Sequence, residues 1–116
     1  MRTFDPDLVN AIYKEGDTSA LVNDRRNIVL VEGENIGLFA WRGPGIYEGH
    51  VHFTARGKEA IELGRKMLAE VDARMIWGLT PVEWRHVRLF NRKIGFSSLG
   101  VMETPEGLRE LFILEK

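Results

Sequence analysis

The chain has no cysteine, which excludes disulfides, thiolate zinc sites and a cysteine nucleophile together. Only 3 histidines remain as nitrogen ligands. No apolar run approaches the roughly 20 residues that span a bilayer, and the opening Met1-Arg2-Thr3-Phe4-Asp5-Pro6 lacks the apolar centre of a secretory signal. An excess of one charge is missing as well. The 16 Lys and Arg against 17 Asp and Glu leave a formal net charge of -1, which argues against coating of nucleic acid by phosphate neutralisation. Neither the Gly-Lys-Ser/Thr ending of a nucleoside triphosphate loop nor a Gly-x-Gly-x-x-Gly dinucleotide loop is present. At 116 residues the chain has room for one core but not for a separate lid or substrate domain. The expectation is a soluble, cytoplasmic protein, residues 1–116 forming a single domain whose function fits on one sheet and its helices.

Against these absences the run Gly49-His50-Val51-His52-Phe53-Thr54-Ala55-Arg56-Gly57-Lys58-Glu59-Ala60 stands out. It reads as a strand, then a basic glycine-containing turn, then an amphipathic helix. The first turn of a helix has free amide donors and the positive end of the helix dipole, so an anion can sit there. Arg56 and Lys58 add charge to that place. With a single glycine, the turn also fits a simple bend between strand and helix.

The remaining pattern is readable element by element. Asp5-Pro6-Asp7, followed by Leu8, Val9, Ile12 and Tyr13, predicts a capped helix with Gly16 as its stop. A short strand is expected at Ala20 to Val22. Asn27 to Val31 and Ile36 to Trp41 read as antiparallel strands around Glu32-Gly33-Glu34-Asn35. After the break Arg42-Gly43-Pro44-Gly45, Ile46 to Thr54 forms a strand. It has Tyr47, Gly49, Val51 and Phe53 on an apolar face and Glu48, His50 and His52 on an ionisable one. A helix over Lys58 to Ala73 buries Ala60, Gly64, Met67, Leu68 and Val71. Met75 to Leu79 is a strand, and Thr80-Pro81-Val82-Glu83 predicts the capped start of a second long helix ending at Gly95. Ser97 to Glu103 and Leu108 to Leu114 form a closing hairpin around Thr104-Pro105-Glu106-Gly107. The order implies an α/β (α+β) domain: a mixed, mostly antiparallel sheet with helices on both faces.

In this order, over roughly residues 27 to 114, the chain resembles the Gcn5-related N-acetyltransferases, which move an acetyl group from acetyl-coenzyme A to an amine. Arg56-Gly57-Lys58-Glu59-Ala60-Ile61 occupies the place of the family's Gln/Arg-x-x-Gly-x-Gly/Ala pyrophosphate loop. Leu89-Phe90-Asn91-Arg92-Lys93-Ile94-Gly95-Phe96 is similar to its Lys-Leu-Gly-Phe helix ending, with Gly100 following in register. The shorter, phage-associated members are closest in style, which suggests a phage-encoded protein. Three positions depart from the pattern: Glu59 stands where a glycine is usual, Ile61 stands where a small residue is expected unless the register slips by one so that Ala60 fills that place and Arg56 no longer fills the first, and Asn91 stands where many members have the tyrosine that protonates the leaving thiolate.

The resemblance implies acetyl-coenzyme A as cosubstrate, held by Phe53, Thr54, Arg56, Gly57, Lys58, Glu59, Ala60 and Asn91. An oxyanion would meet a strand amide near His52 to Thr54. Candidate bases for the acceptor amine are Glu48, His50 and His52. His50 and His52 also read as ordinary hydrogen-bonded side chains. As a metal pair they have no third ligand beyond Glu48 or distant His86, so no metal site is expected. The basic run Arg85, His86, Arg88, Arg92 and Lys93 reads as a solvated face, or as a contact for coenzyme phosphates. Trp84 either lines or fills the coenzyme tunnel. The partners expected are acetyl-coenzyme A and an unidentified amine acceptor, without membrane or nucleic acid. An exposed sheet edge or the first helix offers a homodimer contact. A non-catalytic protein on the same scaffold and, more weakly, a nucleic-acid-binding module stand as rival readings.

Overall fold

The Asp5 carboxylate accepts the Asp7 amide at 3.0 Å, and Pro6 fills the first helical position, where no amide partner is needed, giving α1, Pro6–Ile12. The computed structural model describes residues 1–116. After α1 come α2 (Ser19–Asn23), β1 (Ile28–Glu32), β2 (Asn35–Gly43), β3 (Ile46–His52) and α3 (Gly57–Glu70). The chain then runs through β4 (Met75–Pro81), α4 (Arg85–Lys93), β5 (Ser97–Thr104) and β6 (Gly107–Glu115). The sheet order is β1-β2-β3-β4-β6-β5, antiparallel throughout except between β3 and β4. The mixed, mostly antiparallel α+β sheet expected from the pattern is therefore the observed fold.

Strand alternation divides the apolar residues between two cores. Ile28, Leu30, Phe39 and Ile76 meet Met67, Leu68 and Val71 at α3 and Ile94 at the end of α4. Val29, Val31, Ile36 and Leu38 meet Val9 and Val22 of α1 and α2 on the opposite side. Gly64 lets α3 approach α4 closely: a Cβ there would lie 2.9 Å from Ile94 Cγ2 and 3.0 Å from Phe90 Cζ. Arg65 reinforces this contact by donating to the Lys93 carbonyl at 2.8 and 3.2 Å.

Three local expectations are corrected. Ala20 to Val22 lies in helix α2, because Asp17 Oδ1 takes the Ser19 amide at 2.9 Å and Asn10 Oδ1 takes the Thr18 amide at 2.8 Å, turning the chain into a helical start. The first helix stops at Ile12 rather than near Gly16, with Tyr13 extended at its end. Thr80-Pro81 does not cap a helix. It extends β4, because β6 pairs with that strand as far as Pro81↔Arg109, and α4 begins only after Trp84. The α4 stop is as read. The Gly95 amide bonds to the Arg92 carbonyl at 3.2 Å and the Phe96 amide to the Asn91 carbonyl at 3.0 Å, a Schellman closure around Gly95 at φ 119.

Helix α4 is tied to the sheet by charge. Glu110, 3% exposed, accepts from Arg88 Nε at 2.7 Å and from Arg92 Nη2 and Ser98 Oγ at 2.5 Å each. Arg88 and Arg92 are thus neither a free solvated face nor free phosphate contacts. Burial pushes the Glu110 carboxyl up, but bonds from Ser98 and Arg88 and the charges of Arg92 and Arg88 outweigh it and hold it below the usual 4.5. A carboxyl lowered in the folded state stabilises fully above its unfolded value and loses that contribution as pH falls through the folded one. Glu110→Gln should cost about 2 kcal/mol by leaving two guanidiniums short of a charge partner, lowering Tm by about 8 °C. It should also flatten the loss of Tm below about pH 4.5. Thermal melts of both proteins from neutral to acid pH check this.

Candidate functional site

The parallel pairing of β3 with β4 covers only Ile46↔Met75, Tyr47↔Ile76 and Glu48↔Trp77. Beyond it the strands part, although β3 stays paired to β2 as far as His52 and β4 stays paired to β6 as far as Pro81. Gly49 and Gly78 face each other at the fork: a Cβ on Gly78 would lie 3.3 Å from the Gly49 carbonyl oxygen, and one on Gly49 would lie 3.2 Å from Ile76 Cγ2. Side chains there would close the gap that the strands leave.

On the α3 and α4 side the fork opens into two adjoining cavities. The inner one, about 140 Å³, is mostly apolar, with Phe39, Met67, Phe90 and Phe112 among its walls, Thr80, Asn91 and His50 as polar groups, and Trp77 and Leu79 also lining it where the strands part. The outer one, about 770 Å³, reaches from Val51 and Phe53 to the start of α3 at Arg56, Gly57, Ala60 and Ile61, and to His86 and Lys93 of α4. Together they form a channel from the fork to a helix N-terminus, where amides of the first turn have no intrahelical acceptor. Gly57 has φ 58 while open space surrounds its Cβ position, so the turn needs glycine for its backbone rather than for room.

The residues assigned to coenzyme binding divide. Phe53, Arg56, Gly57 and Ala60 line the outer cavity and Asn91 the inner one, where its Nδ2 donates to Thr80 Oγ1 at 3.0 Å. Lys58, 3.9 Å from Glu62, and Glu59 are exposed and line neither cavity, so the Glu59 carboxylate does not project into the channel. Thr54 is also outside: its amide and that of Ala55 bond to Asn35 Oδ1 at 2.8 and 3.0 Å. Trp84 caps α4, is 57% exposed and edges the inner cavity without filling it.

On β3, Glu48 and His50 are brought together and His52 is not. The Glu48 carboxylate holds His50 Nε2 at 2.9 Å through Oε2, and Arg42 Nε and Nη2 at 3.2 and 2.9 Å through Oε1. His52 packs edge-on against Tyr13 with ring centroids 5.4 Å apart. No group of three or more His, Asp or Glu side chains gathers as a metal site. Sequence reasoning missed Asn35, Arg42, Gly78 and the facing of Gly49 with Gly78. Glycine inside the apolar run Met75 to Leu79 was a usable signal of close backbone approach, whereas Asn35 is indistinguishable from an ordinary turn residue.

No protein-family model matches the sequence, and no curated protein is similar to it in sequence. Solved structures do share its shape. An acetyltransferase of the GNAT family from Streptococcus pneumoniae superposes with a TM-score of 0.63 at 11% identity, covering 96% of this chain and 91% of that one. One from Bacillus anthracis gives 0.56 at 21% identity, over 94% and 80%. The aminoglycoside acetyltransferase AAC(6')-Ib in complex with coenzyme A and kanamycin gives 0.60 at 15% identity, over 86% and 76%. The chain therefore has the fold of the Gcn5-related N-acetyltransferases.

If the fork and channel form one ligand site, Gly78→Val should weaken coenzyme A binding at least tenfold by filling the fork. Lys58→Ala, outside both cavities, should change it less than threefold. Isothermal titration with coenzyme A checks both, and equal losses in the two variants would count against the site.

Proposed function

We propose that the protein is an N-acetyltransferase that moves an acetyl group from acetyl-coenzyme A to an amine within a ternary complex. The observation that carries this reading is the fork between β3 and β4, continuous with a channel to the start of α3. The residues present suit the coenzyme: a narrow apolar passage for an uncharged arm, then helix amides with Arg56, His86 and Lys93 near the mouth for phosphate charge. The coenzyme supplies the acyl group as a thioester. This chain's amides and cations hold the phosphates, and Phe39, Phe90 and Phe112 keep water from the arm.

Glu48 and His50 sit at the fork and are the groups best placed to manage the proton. An ionised carboxylate only accepts, so Nε2 of His50 carries the hydrogen toward Glu48, and Nδ1 keeps a lone pair for a proton from the acceptor ammonium. Glu48, anchored by Arg42, then stabilises the positive ring. The acceptor ammonium gives up two protons, the first to His50 before attack and the second from the nitrogen as the new C–N bond replaces the thioester C–S bond; one proton must reach the sulfur and the other passes to solvent. Asn91 cannot protonate the sulfur, so solvent or protonated His50 does. Edge amides of β3 beyond Glu48, which have no strand partner on the β4 side, suit a developing oxyanion.

Asn91 also favours a second reading, a coenzyme-binding scaffold that has given up chemistry. Both readings predict a saturable rise in Tm with acetyl-coenzyme A, but only the enzyme releases free thiol when an amine is added. The absence of cysteine means that a thiol reagent sees coenzyme A alone. His50→Ala should lower kcat about 100-fold while changing coenzyme affinity far less, about threefold at most, since His50 is one of many residues lining the inner cavity. No Tm shift at millimolar coenzyme would remove the proposal, and a shift without thiol release across an amine panel would leave the scaffold.

A further inference from the structure

Helices α1 and α2 cover only the β1–β2 part of their side of the sheet. On the rest of that side, register and alternation set Glu48 and His50 of β3 beside Trp77 and Leu79 of β4, then Ile113 and Leu111 of β6, then Met102 of β5. No helix packs there. Trp77, Leu79, Leu111 and Ile113 are only partly buried, and Met102 is 45% exposed. An open apolar floor of this kind is unusual on a small domain and marks a place where something docks. The Glu48–His50 pair stands at its border, next to the fork.

The charges around the floor restrict what can dock. Glu48 is already shared by Arg42 and His50. Arg109, which alternation puts on the same side, is tied to Glu106 at 3.3 Å. The remaining carboxylate on this side, Glu115, lies opposite Met75, at the end where β3 and β4 are paired and away from the fork. A ligand with several ammonium groups would thus find near the fork two carboxylates, each already paired with a guanidinium, and no unpaired one, and its further charges would rest on an apolar surface that cannot solvate them. A single ammonium on an apolar body fits: the nitrogen at Glu48 and His50, the body on Trp77, Leu79 and Leu111.

Resting on the transferase reading, we infer that the acceptor is a monoamine carried on an aromatic or aliphatic group and bound on this floor, rather than a polyamine or an aminosugar. The ammonium loses its proton to His50 at the floor's border, and the apolar body sets the selectivity by the area it covers.

The test is isothermal titration of the full chain with phenethylamine, spermidine and kanamycin, each with and without coenzyme A. Phenethylamine should bind at least tenfold more tightly than either polycation. Leu111 lines neither cavity, so Leu111→Ala should weaken phenethylamine and Leu111→Glu should shift the preference toward spermidine, both with coenzyme A affinity unchanged. Tighter binding of spermidine or kanamycin, binding of no amine at millimolar concentration, or an unaltered preference in both variants would overturn the inference. So would sedimentation showing a dimer that Leu111→Glu dissociates, because the floor would then belong to a second copy. Coenzyme binding with a polycation preferred removes this inference alone. Amine preference intact with no coenzyme binding removes the transferase reading and leaves the amine site.

Discussion

The fork between β3 and β4 is the constraint on which the site depends. Two parallel neighbours would ordinarily pair along their length, yet here pairing ends after Glu48↔Trp77. Each strand is held away from the other by its outer partner, since β2 follows β3 to His52 and β6 follows β4 to Pro81. The backbone groups along the open edges then need water or a ligand in place of a strand. Gly49 and Gly78 keep side chains out of the opening. Helix α3 starts just beyond the end of β3 and α4 just beyond the end of β4, so both N-termini lie on the open side of the fork. Channel, helix amides and cations share one location for that reason.

An opening between strands lacks the ladder that normally fixes them, so the walls must be held from outside. The buried Glu110 does this for α4. A carboxylate at that depth is costly unless its oxygens are satisfied, and Arg88, Arg92 and Ser98 satisfy them from α4 and β5. Arg88 also donates to the Val82 carbonyl at 2.8 Å, tying the start of α4 to the end of β4. On the other wall, Lys116 donates to the carbonyls of Leu68 and Val71 at the end of α3. Lys66 reaches across to Glu32 at 2.9 and 3.1 Å, and this pair holds the Glu32 carboxyl below its ordinary value. The channel lies between two anchored helices.

Much of this architecture was legible because it rests on short-range patterns. Alternation in Ile46 to Thr54 separated Tyr47 and Gly49 from Glu48 and His50, and the stripe Ala60, Gly64, Met67 and Leu68 is the buried face of α3, which ends at Glu70 rather than Ala73 with Val71 buried as its extended cap. Gly95 and Phe96 signalled the α4 ending through a turn that only a left-handed residue permits. Where the pattern misled, long-range pairing decided. Thr80-Pro81 has the composition of a helix cap, but β6 recruits it into a strand and Thr80 is buried under Asn91. Arg88 and Arg92 read as solvent-facing because their partner, Glu110, is 18 residues or more away in sequence. Asn35 steadies the turn before α3 from across the sheet, a contact that no local window contains.

The sheet also separates two kinds of chemistry. On the α3 and α4 side the channel mouth has Arg56, His86 and Lys93 and suits an anion. On the opposite side the border of the open floor has a carboxylate and an imidazole and suits a cation. An intact sheet would keep such ligands about 10 Å apart. The fork is the one place where β3 has no neighbour on its β4 edge, so in the proposed reaction a thioester reaching through from one face would meet an amine resting on the other. Glu48 is the last paired residue of β3 before that opening, and His50 is the second beyond it on the same face. In the proposed reaction it is this position at the fork that would make them the groups through which the proton passes.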